Sequence, residues 1–127
     1  MNGYFVMEYL YRDADNFKAF GEILVSGDVA EDYITEIESY LYAGELFVAE
    51  QVNMPTLYSL LWKYSNGPTI ADHAFHEFSS IRFATESEIE SLDVWGETSV
   101  LLDTFRTACQ QSWDCSQSVH CAVFSYA

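Results

Sequence analysis

The sequence has 127 residues, of which 50% are apolar and 17% aromatic, so we predict a single domain with one core over residues 1–127. This composition excludes a disordered acidic tail, which would contain few aromatic residues. Twenty carboxylates against five Lys and Arg side chains give a net charge of -15. That charge excludes direct binding of nucleic acid or anionic membranes, because both need basic patches that neutralise phosphates.

Two strands are predicted at the start of the chain, over residues 3–11 and 17–25, because both segments are rich in aromatic and other β-favouring side chains. Between them, the run Asp13-Ala14-Asp15-Asn16 is typical of a turn. The pattern therefore predicts an antiparallel hairpin whose loop has about four or five residues.

A helix is predicted over residues 28–44. Asp28 and Glu31 have the spacing of a capping box, and Gly44 stands where a left-handed C-terminal cap is expected. Seven apolar residues fall within an arc of about 140° on the helical wheel, which predicts one buried face. They are Val29, Ala30, Tyr33, Ile34, Ile37, Tyr40 and Leu41.

A short strand is predicted over residues 46–48, and a second helix begins near Pro55. The helix is indicated by apolar residues at spacings of three and four, and Asn66-Gly67-Pro68 ends it. The apolar residues are Leu57, Leu60, Leu61 and Tyr64.

The last third of the chain is predicted to contain a strand, two helices and a final strand. Residues 74–83 have the composition of a strand, and Thr85 and Glu88 predict a capping box at the start of a short helix. Residues 99–112 have apolar side chains at helical spacing, and residues 118–126 return to a β pattern.

The predicted fold class is α+β. The element order β-β-α-(β)-α-β-α-α-β does not alternate regularly, so we expect an antiparallel sheet of about four to five strands with helices packed on it.

An acidic surface on the predicted helix 28–44 is the main candidate for function. Its carboxylates lie opposite the apolar arc, and no Lys or Arg occurs between residues 19 and 62. If helical, residues 28–45 span roughly 27 Å, over which a DNA strand carries about eight phosphates. The pattern indicates either a decoy that imitates a phosphate backbone or an ordinary solvated helix face. The carboxylates are Asp28, Glu31, Asp32, Glu36, Glu38 and Glu45.

A second acidic cluster lies in residues 83–105, which contain no basic residue. If the two clusters shared one face, the decoy interpretation would be much better supported. Together they give ten predicted partner-binding residues, the six above with Glu86, Glu88, Glu90 and Asp93, and Glu97 lies beside them.

A metal site is an alternative prediction, with His73, His76 and Glu77 as candidate ligands for zinc or iron if the segment were helical. On the strand that we predict, the two histidines would point to opposite faces and the site would fail. No cofactor is predicted.

The sequence nominates no catalytic residue, because it has no phosphate-binding glycine loop, nucleophile elbow or H-E-x-x-H motif. Cys109, Cys115, His120 and Cys121 could form a thiolate–imidazole site, but buried structural thiols are the simpler interpretation. The odd cysteine count, together with no signal-like start and no apolar run of spanning length, predicts a cytoplasmic protein with reduced thiols.

Aromatic residues crowd the predicted hairpin, and most are expected to pack in the core. An excess on its outer face would indicate an interface, so a self-associating structural domain, as a homodimer, is another alternative. These residues are Tyr4, Tyr9, Tyr11, Phe17 and Phe20.

Three stretches, over residues 11–21, 43–52 and 67–78, resemble a family of short bacterial proteins of unknown function found among mobile-element and plasmid genes. The resemblance covers roughly residues 4–95, implies a bacterial cytoplasmic setting and identifies no site residue. In size, charge and context the chain is also similar to anti-CRISPR and other anti-defence inhibitors as a group.

The sequence therefore predicts a small acidic, non-enzymatic binding protein. Its expected partner is a basic protein, such as a nucleic-acid-binding enzyme that it inhibits by imitating nucleic acid.

Overall fold

The computed structural model describes residues 3–12, 18–57 and 75–113, which contain five strands and three helices. The strands are β1 (Tyr4–Arg12), β2 (Lys18–Ser26), β3 (Leu46–Val48), β4 (Phe75–Phe83) and β5 (Val94–Glu97). The helices are α1 (Tyr33–Tyr40), α2 (Glu86–Ser91) and α3 (Thr98–Gln110), and a 3-10 turn covers Ala49–Val52.

The strands form one sheet in the order β3-β4-β1-β2-β5, which confirms the predicted α+β class. The β1–β2 hairpin is antiparallel as predicted, and β4 pairs antiparallel with both β1 and β3. β5 is parallel to β2, so the sheet is mixed. β4 and β5 run in the same direction, because β2 and β4 are both antiparallel to β1. Parallel strands cannot be joined by a tight turn, so the connection from β4 through α2 to β5 passes across β1 and β2.

The two faces of the sheet carry different helices. Successive residues of a strand point to opposite faces, so odd-numbered and even-numbered residues of β1 separate into two groups. Phe5, Met7, Tyr9 and Tyr11 join the main core with residues of α1 and α3, whereas Val6 packs with residues of and near α2. We call these sides the α1/α3 face and the α2 face.

Helix α1 is shorter than predicted. It begins at Tyr33 and ends at Tyr40, so the predicted start at Asp28 and the predicted cap at Gly44 are both wrong. The Asp28 carbonyl accepts a hydrogen bond from Thr98 Oγ1 (2.8 Å), which draws residue 28 to the start of α3 rather than into α1. Gly44, with φ +77°, instead lies in the turn before β3.

The remaining sequence predictions have mixed outcomes. The structure confirms the predicted strands at 46–48 and 74–83, which are β3 and β4. It also confirms the predicted helix at 99–112, which is α3, and the capping box of α2. β5 and the 3-10 turn were not predicted. Most of the predicted helix after Pro55 and the predicted strand 118–126 lie outside the described residues.

Gly21 in β2 leaves room for a close contact between the sheet and residue 57. A Cβ at Gly21 would lie 2.8 Å from Leu57 Cδ2 and 3.1 Å from Tyr9 Cζ. Tyr9 is buried, which raises its pKa to about 12, and its hydroxyl donates to the Pro55 carbonyl (2.6 Å). The missing side chain therefore lets residues 55–57 pack on the hairpin.

We expect Gly21→Ala to lower the free energy of unfolding by about 1–3 kcal/mol, because the added methyl overpacks the contact between Tyr9 and Leu57. Urea unfolding measures the change. Gly96→Ala is the matched control, since its Cβ would meet only Val100 Cγ1 at 3.9 Å. Equal effects of the two substitutions would contradict the packing argument.

Candidate partner-binding surface

Arg82 of β4 joins three carboxylates on the α2 face. Its guanidinium lies 3.4 Å from Glu8, 3.5 Å from Glu22 and 2.7 Å from Glu88. Glu8 and Glu22 stand directly opposite each other on β1 and β2, where two like charges destabilise a sheet. Arg82 therefore relieves this repulsion and at the same time ties α2 to the sheet.

Glu88 accepts hydrogen bonds from both Arg82 and Thr85. The hydrogen bond from Arg82, together with backbone and side-chain hydrogen bonds from Thr85, lowers its pKa to about 2. Glu88 Oε1 accepts from the Thr85 amide (2.9 Å), and Thr85 Oγ1 accepts from the Glu88 amide (3.2 Å). The residue thus closes the predicted capping box and binds an arginine.

Arg106 of α3 forms a second network on the α1/α3 face. Its guanidinium donates to the Tyr40 hydroxyl (3.1 Å) and lies 3.3 Å from Glu36 and 2.5 Å from Asp103. The Tyr40 hydroxyl in turn donates to Glu36 (2.7 Å). These hydrogen bonds, first from Tyr40 and then from Arg106, lower the pKa of Glu36. This network holds α1 against α3.

Arg12 pairs with Glu77 at 2.9 Å, so each of the three arginines forms an ion pair within the chain. The sequence analysis did not identify these arginines as organising residues. One signal was available, because Asp103 and Arg106 stand three residues apart on a predicted helix. The other ion pairs join residues distant along the chain, apart from Arg82 and Glu88.

Most of the remaining carboxylates face solvent. Sixteen of the twenty lie in the described part of the chain, since Asp13, Asp15, Asp72 and Asp114 fall outside it. Six of the sixteen take part in the ion pairs above. Nine others are exposed and take part in no ion pair among the described residues. They are Asp28, Glu31, Asp32, Glu38, Glu45, Glu86, Glu90, Asp93 and Glu97.

The ten predicted partner-binding residues thus separate into two groups. Eight of them belong to the exposed, unpaired set, whereas Glu36 and Glu88 serve the arginine networks. The binding role of the eight stays a prediction. Glu36 and Glu88 have an internal structural role that the sequence pattern could not separate from exposure.

The two acidic clusters lie mainly on opposite faces of the sheet. α1 belongs to the α1/α3 face, and Ile89 of α2 packs on the other side against Val6 and Leu24. The clusters approach each other at Thr98, because Asp28 accepts from its hydroxyl and Glu97 precedes it in sequence. Tyr33 strengthens this junction by donating to the Thr98 carbonyl (2.6 Å).

Several exposed carboxylates have a local explanation at helix starts. Asp32 and Glu97 are the residues that precede α1 and α3, and Glu86 lies in the first turn of α2. A negative charge there complements the positive end of the helix dipole. In contrast, Glu38 lies in the last turn of α1, where the dipole disfavours a carboxylate.

An open groove of about 490 Å³ lies beside the first arginine network. Glu8 and Glu22, its two carboxylates, already face Arg82. The described lining therefore offers no free pair of acid and base for catalysis. The lining residues are Glu8, Tyr9, Phe20, Gly21, Glu22 and Ser79.

The histidine candidates do not come together as a metal site in the described residues. His76 is fully buried, and its Nε2 accepts a hydrogen bond from the Leu57 amide (3.1 Å). Glu77, the next residue of β4, points to the other face and pairs with Arg12. His73 lies outside the described residues, and no group of three metal-binding side chains occurs within them.

The cysteine and aromatic candidates have separate outcomes. Cys109 is a half-buried thiol on α3, whereas Cys115, His120 and Cys121 lie outside the described residues. Tyr9 and Tyr11 are core residues, as expected for most hairpin aromatics, and Tyr4 is partly buried. Phe20 is 70% exposed, and Phe17 lies outside the described residues.

Comparison with protein-family models, with curated proteins and with solved structures finds no match to this chain. Among the described helices, none is both long enough and apolar enough to cross a bilayer. The arrangement of the residues is therefore what supports the function proposed below.

We expect Glu88→Gln to reduce stability at pH 7 and to flatten its pH dependence in acid. Because the folded pKa of Glu88 is about 2 and its ordinary value is 4.5, its contribution is complete above about pH 5. That contribution is lost as the pH falls from 4.5 towards 2. Urea unfolding between pH 2 and 7 measures it, with Glu86→Gln on the same turn as the control. Glu86→Gln is expected to keep the wild-type pH profile, and a Glu88→Gln variant that also kept it would contradict the argument.

We expect His76→Phe to destabilise the fold by about 1–3 kcal/mol even though the new ring is more apolar. The substitution removes the acceptor of the buried Leu57 amide, and an unsatisfied buried donor costs roughly that amount. Thermal unfolding of His76→Phe beside Glu77→Gln checks this, because Glu77 lies on the half-exposed side of the same strand. A phenylalanine variant as stable as the wild type would contradict it.

Proposed function

We propose that this chain is a non-enzymatic binding protein that docks its exposed carboxylates on a basic protein surface. We further propose that this surface is the nucleic-acid-binding groove of an enzyme that the chain inhibits. A bacterial defence enzyme is the kind of target that the similarity in size, charge and context to anti-defence inhibitors suggests.

The observation that carries the proposal is the division of the carboxylates into those paired with an arginine of the chain and those left unpaired at the surface. All three arginines form internal ion pairs, and Lys18 is the other described cation. The nine exposed carboxylates are therefore not neutralised by the described part of the chain. An uncompensated acidic surface attracts a basic partner and accelerates its association, most strongly at low salt.

Glu38 gives the proposal its most specific support. It is exposed in the last turn of α1, and the described residues provide it with no cation. A carboxylate at that end of a helix opposes the dipole by about 0.3–1 kcal/mol at low ionic strength. A residue that weakens the fold where it stands is a better candidate for binding than one that caps a helix.

The shape of the acidic surface differs from the linear decoy expected from the sequence. α1 has eight residues, so it is about 12 Å long rather than the roughly 27 Å expected for residues 28–45. The carboxylates occupy both faces and meet near Thr98. We therefore propose that the partner contacts a band of charge at this end of the sheet, rather than one straight row.

We expect the triple substitution Glu31→Lys, Asp32→Lys and Glu38→Lys to abolish capture of the partner from a bacterial lysate. Capture by the wild-type chain is expected to weaken between about 0.05 and 0.15 M salt, because the Debye length shortens from about 14 to 8 Å. Double-stranded DNA should displace the partner if the carboxylates occupy a nucleic-acid groove. Unchanged capture by the triple variant would overturn the proposal.

Two single variants separate binding from folding. Glu38→Lys should stabilise α1 while it weakens capture, because it places a cation at the negative end of the helix. Glu36→Lys should lower the unfolding midpoint instead, since it sets a lysine beside Arg106. Capture and urea unfolding measured on both variants show whether a loss of binding reflects the surface or the fold.

A further inference from the structure

We propose that the outer edge of β5, which pairs with no strand among the described residues, receives an extended basic segment of the partner that adds a strand to the sheet there. This inference rests on the proposed function and names the chemistry of the partner. Addition of a strand uses backbone hydrogen bonds for affinity and neighbouring side chains for specificity.

β5 is the last strand of the sheet on the β2 side. Its inner edge pairs with β2, where Val94 lies opposite Leu24 and Glu97 lies opposite Ser26. No described strand pairs with its outer edge. An edge strand presents a row of unpaired amide and carbonyl groups, which is a template for another strand.

Small and apolar residues permit a close approach at this edge. The pairing register places Val94 on the α2 face, and it is 49% exposed. Val100, in the first turn of α3, is 48% exposed and stands over Gly96. A Cβ at Gly96 would have only Val100 within 4 Å, so the face of the sheet beside Gly96 is open apart from this valine. An added strand would thus find an exposed valine on each face.

Acidic residues flank the same edge. Asp93 precedes β5 and Glu97 ends it, and both are exposed without an ion pair among the described residues. Four residues of extended chain separate them by about 13 Å. Two Lys or Arg side chains on an extended segment can span that distance, so the charges select a basic strand.

A second copy of this chain fits the edge poorly. Pairing of two β5 edges would bring two sets of Asp93 and Glu97 together, and each chain carries a net charge of -15. The irregular register between β2 and β5 and the charges at the ends are features that protect an edge from self-pairing. The two carboxylates oppose an acidic partner strand but attract a basic one.

The test uses the full chain and a ten-residue peptide of alternating Lys and Val as the probe. Binding should protect the amides of residues 94–97 from hydrogen exchange. The same peptide with every backbone amide methylated keeps its charge but loses its backbone hydrogen-bond donors. Its affinity should be lower by about tenfold or more. A Glu–Val peptide of the same length should not bind.

Matched charge reversals locate the site. Asp93→Lys with Glu97→Lys should weaken the Lys–Val peptide about tenfold, whereas Thr107→Lys with Gln110→Lys, at two exposed positions of α3 outside the proposed surface, should have little effect. The unfolding midpoint of each variant verifies its fold.

Three results would overturn the inference: failure of the peptide to bind, equal binding of the methylated peptide, or protection confined to α1. None of them decides the proposed function, which depends on partner capture and its loss in the triple variant.

Discussion

Arg82 solves an electrostatic problem that the central hairpin creates. Glu8 and Glu22 stand opposite each other on β1 and β2, and their repulsion would destabilise the sheet if no cation lay beside them. Arg82 reaches both carboxylates and also Glu88, which attaches α2 to the same face. With five Lys and Arg side chains for twenty carboxylates, each arginine used in this way leaves fewer cations to pair with the other carboxylates.

Arg106 has a similar role on the α1/α3 face. Arg106 of α3 contacts Glu36 and the Tyr40 hydroxyl of α1, so one guanidinium adds polar contacts to the apolar packing between the two helices. The arginines therefore form ion pairs where secondary-structure elements meet, and the remaining carboxylates stay unpaired at the surface. Helix dipoles favour some of them, such as Asp32, but oppose Glu38. This contrast separates the acids that serve folding from those that we propose for binding.

The junction at Thr98 links this charge distribution to the open edge of the sheet. The Thr98 hydroxyl donates to Asp28, and its carbonyl accepts from Tyr33, so the loop before α1 is held beside the end of β5. Gly27 makes this contact possible, because it has a φ of +117° and a Cβ there would lie 2.7 Å from Thr98 Oγ1. Acidic residues from both faces thus approach β5, whose outer edge pairs with no strand in the described part of the chain.

Local patterns in the sequence determined the β1–β2 hairpin, the capping box of Thr85 and Glu88, the helix α3 and the excess of negative charge. Periodicity, capping and composition act between near neighbours, so they can be read along the chain. Tertiary structure decided the path of the chain before α1, where the Asp28 carbonyl accepts a hydrogen bond from Thr98, 70 residues away. It also made the short segment Val94–Glu97 a parallel strand, and it separated Glu36 and Glu88 from the exposed acids. These outcomes depend on which residues meet across the fold, and spacing along the chain does not specify that.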